Sequence, residues 1–175
     1  MGWVMLSARK LFLTQKVNDL EFKQTRLMQQ LHDLHKYGSC IADGKIDYEE
    51  MAGMPVSTLP YAYQYAGIGQ MYAYGMAGQQ SEFLHGQWQA QLQQSGQDIT
   101  QEQFEQGRQY LFQQALQSQL AEIRKAEEAR IKTIEDDIQQ QLEQVKTQLS
   151  AARQEMQATG EGIDTDIKNS VPKYA

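Results

Sequence analysis

His32, His35 and Cys40 spell H-x-x-H-x4-C, the arrangement in this chain closest to a metal site. The two imidazoles can share a helix face, but no fourth donor accompanies them and Gly38 turns Cys40 in a new direction. Two polar helix histidines and an incidental thiol are therefore expected. The stretch from Asp43 to Met54 invites comparison with a calcium loop. It places Lys45 where a ligand oxygen belongs, Tyr48 where the glycine turn belongs and Met54 where the bidentate glutamate belongs. AGIGQMYA lacks the third glycine of a dinucleotide fingerprint, and neither a phosphate loop nor a nucleophile elbow occurs. Carboxylates are plentiful, yet they fall on exposed helix faces, where nothing would separate their pKa values into acid and base roles. The sequence thus predicts no enzyme, no metal and no other cofactor.

Elements that would hold such residues are read from periodicity. The chain has 175 residues, 29 of them Gln, with 41% hydrophobic residues and a mean hydropathy of -0.65, which leaves little apolar material for a globular core. A net charge of -6 argues against nucleic acid as a partner, because phosphate contacts need a basic stripe. Cys40 is the single cysteine, so no internal disulfide is available. The start, MGWVMLSARKLFL, has neither a basic region ahead of its apolar run nor a small-residue cleavage site, so no cleavable secretory signal is expected.

Residues 1–37 read as an amphipathic helix, because Leu13, Val17, Leu20, Gln24, Leu27, Leu31 and Leu34 advance in steps of three and four. Gln24 is the polar interruption of this seam, a device that fixes register. Gly38 and Ser39 are expected to end the helix. Residues 98–159 read as a second, longer helix capped at Asp98 or Thr100. Its stripe includes Ile131, Ile134, Ile138, Leu142, Val145 and Leu149, with a stutter between Ile138 and Leu142 that locally unwinds a left-handed supercoil. Gly160 and Gly162 are expected to stop it, leaving residues 160–175 as a polar tail. The fold class that follows is all-α, an elongated helical hairpin or coiled coil. Six basic against three acidic residues in 1–36, and nine against thirteen in 99–175, mean that the two helices attract. Pairing within one chain and pairing between chains satisfy the same seam.

Residues 38–97 hold a connector, in which Asp47 and Glu50 make a capping box, and then an uncharged region rich in Gly, Tyr and Met. Between Glu50 and Glu82 lie 31 residues without a charge. Pro55, Pro60 and the glutamines make this run too polar for a membrane span, and membrane contact is not favoured. Gly69, Ala73 and Ala77 recur at every fourth position and predict a smooth helix face that permits close approach, with Tyr65, Tyr72 and Met76 on other faces. These residues, with the two seams, are the expected assembly interface, and a second copy of the chain is the expected partner.

A basic amphipathic helix, a neutral small-residue and aromatic middle, and a long final helix containing TQLSAARQEMQ together resemble the helical filament subunits of bacterial secretion systems and flagella. Phage tube, ring and ejection proteins are similar in their Gln-rich helices and Gly/Tyr-rich segments. In the filament families the terminal helices pack into the polymer core, while the polar end of this chain departs from their usual apolar one. The resemblance implies a self-assembling structural subunit, in an extracellular filament or a virion rather than the cytoplasm. A coiled-coil adaptor or secretion chaperone, or a translocator that inserts transiently in a membrane, is the alternative.

Overall fold

The computed structural model describes residues 2–42, 44–96 and 100–170. Among them there is no strand, and the protein is all-α, as two segments of 3.6-residue periodicity require. In chain order the elements are α1 (Gly2–Cys40), α2 (Tyr48–Ala52), α3 (Leu59–Tyr63), a π-helical segment (Gln64–Gly69), α4 (Gln70–Ser95) and α5 (Gln101–Ser170). They form two compact units. One combines residues up to His32 with those from Ile134 onward, and the other runs from Asp33 to Thr133.

The first unit is an antiparallel pair of α1 and α5. Leu6 lies against Gly162, Lys10 against Gly160, and Thr14 Oγ1 is 3.6 Å from Met156 Sδ, so one index falls as the other rises. Leu13, Val17, Leu20 and Leu27 of α1 are buried, as are Ile138, Leu142, Val145, Leu149 and Ala152 of α5. Each such aliphatic side chain removed from water contributes about 1.5–3 kcal/mol, so the seam dominates the energetics of the pair. Charge is secondary: cross-helix ion pairs among the described residues include Arg9 with Glu155 and Arg153 with Glu21, all well exposed.

Two helix ends differ from the expectation. α5 does not stop at Gly160 and Gly162 but continues to Ser170, so residues 160–170 are helix, while 171–175 lie outside the described residues. The glycines face α1, where an added Cβ would stand 3.6 Å from Lys10 Nζ and 3.5 Å from Leu6 Cδ1. Packing against α1 offsets their poor helix propensity of about 1 kcal/mol each. Likewise α1 passes through Gly38 and Ser39 to Cys40; Ser39 Oγ donates to Lys36 O at 2.7 Å, and Gly38 is in contact range of Ile131.

In the second unit, α2 begins at the expected capping box, with the Asp47 N–H donating to Glu50 Oε2 at 3.0 Å. α5 begins at a reciprocal pair in which the Thr100 N–H donates to Gln103 Oε1 and the Gln103 N–H to Thr100 Oγ1. Asp98, the other cap expected, lies outside the described residues. The uncharged region is helical throughout α3, the π segment and α4, a longer helix than the smooth face alone indicated. Gln70 N–H reaches back to Tyr65 O, the five-residue bond that defines the π turn. The connector is pinned by Lys36 Nζ donating to Gly53 O, Ser57 Oγ to Asp33 Oδ2 and Arg124 Nη1 to Ala42 O.

α4 and α5 run antiparallel and interlock small against large at both ends. Gly69 lies under Ile123, 3.3 Å from its Cγ2, whereas Gly107 lies under Trp88. Between them Ala73, Ala77, Ser81 and Ala115 are buried.

Candidate assembly surface and the polar network beneath it

Tyr37 extends the α1 seam three residues past Leu34 and is fully buried. Its hydroxyl donates to Glu127 Oε1 at 2.9 Å; Glu127 Oε2 is 3.6 Å from Arg130 Nη1, which donates to Gln64 Oε1 at 3.2 Å. The Arg130 guanidinium also sits 4.9 Å from the Tyr61 ring centroid, and Tyr61 lies 6.2 Å from Tyr37. This chain of contacts ties the first residue of the π segment to α1 and α5. Burial, followed by the hydrogen bond from Tyr37 to Glu127 and that carboxylate's charge, holds the Tyr37 phenol well above its ordinary value, so it remains a donor. One residue further into the π segment, the buried Tyr65 hydroxyl donates to Gly44 O at 3.1 Å. Gly44 adopts a φ of 86°, the left-handed region that favours glycine.

At the far end of α4, His85 meets Phe104 edge-on with centroids 4.3 Å apart, and Trp88 stacks beside Phe104 at 6.0 Å. His85 Nε2 is buried with no hydrogen-bond partner among the described residues. Arg124 Nε is 3.3 Å from Glu128 Oε1 but does not point its N–H at it, so that contact is an ion pair without a hydrogen bond. Among the described residues no group of three or more His, Cys, Asp or Glu could hold a metal ion. His32 and His35 are exposed and Cys40 is half-buried.

The structure divides the expected interface residues into two sets. Leu13, Val17, Leu20, Leu27, Ile138, Leu142, Val145 and Leu149 are buried in the first unit, where Ile134 is half-buried. Leu31 is half-buried too, and Ile131 is buried in the second unit. Of the predicted smooth stripe, Gly69 has Ile123 of this chain's own α5 as its close neighbour, and Ala73 and Ala77 are fully buried. Tyr65 is buried, Met76 half-buried and Tyr72 exposed.

What remains open is the opposite side of α4 and of the π segment before it. Ile68 (70% exposed), Met71 (79%), Tyr72 and Phe83 carry apolar side chains into solvent, and a Cβ added at Gly67, Gly75 or Gly86 would meet nothing within 4 Å. Sequence reasoning named Tyr72 here and missed Ile68, Met71 and Phe83. The signal for them was available: residues half a helical turn from a small-residue stripe must face the other way. The polar network was missed as well, because Glu127 and Arg130 look like any solvated helix charges until Tyr37 is brought to them.

No helix among the described residues is long and apolar enough to cross a membrane. Comparisons with family models, with curated proteins and with solved structures each find no match.

Proposed function

We propose that the chain is a non-enzymatic structural subunit that self-associates into a filament or virion-type assembly, with copies meeting through the outer face of α4. The observation that carries this reading is the exposure of Ile68, Met71 and Tyr72, on the π segment and the start of α4 within the run without charge from Met51 to Ser81, and of Phe83 just beyond it. A lone surface Leu or Tyr is ordinary, but several large apolar side chains together on a face with little charge mark a surface that is covered in use. Glycines beside them let a neighbouring backbone come close, as small residues do between tightly packed helices. The contacts that run from buried Tyr37 through Glu127 and Arg130 out to Gln64 tie the π segment from below, which lowers the cost of ordering the face on association.

Sedimentation velocity over a wide dilution series tests the reading. Wild type grows in steps that follow concentration, and Met71→Lys combined with Tyr72→Lys stays monomeric while its helical content is unchanged. A monomer at every concentration, or a fixed dimer that takes up a partner protein instead of growing, overturns it in favour of an adaptor.

A further inference from the structure

We propose that the outer face of α1 in the first unit docks on an anionic lipid surface, lying in the plane of the bilayer interface without crossing it. At 100° per residue, Val4, Leu11 and Phe22 fall within about 20° of one another, on the side of α1 opposite the buried seam. All three are exposed, as are Trp3, Met5 and Phe12 beside them; Leu11 is 75% and Phe12 64% exposed. Three turns that are apolar nearly all round require burial, and α5 covers one side of them. Along the first 18 residues of the chain the charge beside this face is one-signed. Residues 1–18 contain Arg9, Lys10 and Lys16 and no acidic residue. Lys16 and Lys23 continue the strip of Met5 and Phe12, on which Asp19 is the acidic member. A helix with Trp, Phe and Leu on one face and Lys and Arg along its edges is the form that settles into a headgroup layer.

The occupant is chosen by what can meet both halves of this surface at once. The acidic α5 of a second copy offers charge but little to bury: from Ile134 onward, Ile167 is its exposed large apolar side chain among the described residues. The α4 face of a second copy offers apolar area but only one acidic residue on its helix, Glu82, to meet Arg9, Lys10 and Lys16. An anionic bilayer presents acyl chains and phosphates together. The inference is independent of how the α4 face is used, and its variants leave α4 untouched.

The full chain is floated with vesicles of phosphatidylcholine alone and of phosphatidylcholine mixed with phosphatidylglycerol. It partitions into the mixed vesicles and not into the neutral ones, and the tryptophan emission shifts to the blue on binding. Trp3→Phe abolishes that shift, since Trp88 does not enter the bilayer. Leu11→Gln with Phe12→Gln lowers binding by about tenfold or more. Lys10→Gln and Lys16→Gln lower it by about fivefold each. These four positions are exposed, so circular dichroism and thermal unfolding stay at wild-type values. Equal binding to both vesicles, an unchanged affinity in the Leu11/Phe12 variant, or a change in that variant's sedimentation without any vesicle binding overturns the proposal. The last of these results assigns the face to a second copy.

Discussion

The Trp88 indole occupies the space over Gly107: a Cβ added at Gly107 would stand 2.6 Å from Cη2 and 2.8 Å from Cζ3 of the ring. At the other end of the same helix pair the sizes are exchanged, with Gly69 under Ile123. Two helices that carry small and large residues in opposite order can pack closely only in one antiparallel register. A slip by one turn would set Trp88 against a side chain instead of a gap.

Glycine-to-alanine changes should therefore have opposite signs on α4 and α5. Gly75→Ala fills open space in a helix interior and raises stability by about 1 kcal/mol, the difference in helix propensity. Gly107→Ala gains the same propensity but drives into a ring backed by Phe104 and His85, so the net effect is a loss of about 1–2 kcal/mol. Urea unfolding of the two variants decides it. Adding Trp88→Leu to Gly107→Ala recovers part of the loss.

Tyr37→Phe removes a part-buried donor and leaves Glu127 short of a partner, at a cost of about 1–3 kcal/mol. The pH dependence carries a definite sign. Burial and Glu127 keep the proton on folded Tyr37 to a higher pH than on the unfolded chain, so the unfolded state releases it first. The contribution is complete below the ordinary phenol pKa of about 10 and is lost as pH rises beyond it. The difference in stability between wild type and Tyr37→Phe, taken from unfolding curves, is thus constant from neutral pH to about pH 10 and shrinks above it.

Ala73→Leu acts on the fold before it acts on any assembly. Ala73 has no exposed surface, so the larger side chain overpacks α4 against this chain's own neighbours, at a cost of about 1–3 kcal/mol. Tyr72→Gln, one residue away on the exposed side, leaves stability within about 0.5 kcal/mol. Thermal unfolding of both variants separates the buried stripe from the exposed face, which a size measurement alone cannot do.

The sequence disclosed most where one periodicity had one consequence. Leu13, Val17, Leu20 and Leu27, and Ile138 through Leu149, could only be seams, and both are buried. Gly69, Ala73 and Ala77 were legible as a face for close approach, but a stripe does not say whose helix approaches. Distant residues supply that answer, Ile123 above all. Gly160 and Gly162 misled because helix propensity is a local quantity, whereas the contact with Leu6 and Lys10 that carries α5 past them comes from the other end of the chain. The Tyr37 network has the same origin: its carboxylate is 90 residues away in sequence.

The charges that divide α1 from α5 should matter little to the stability of the helix pair itself. Arg9 contacts Glu155, and Arg153 donates to Glu21 at 2.6 Å, but both pairs are bathed in solvent, with 61% and 57% of the arginine side chains exposed. Exposed pairs are worth about 0–1 kcal/mol, and salt screens them over about 8 Å. The buried seam is not screened. Reversing Arg9 to Glu should cost no more than about 1 kcal/mol, and the double reversal Arg9→Glu with Glu155→Arg should restore most of it. Val145→Ala, which removes two buried methyl groups from the seam, should cost more than either, about 2 kcal/mol. A double-mutant cycle run at low and high salt checks the ranking: the Arg9/Glu155 coupling fades as salt rises, and the cost of Val145→Ala does not change. A coupling above that cost would make charge, not apolar burial, the force that holds α1 to α5 in this unit.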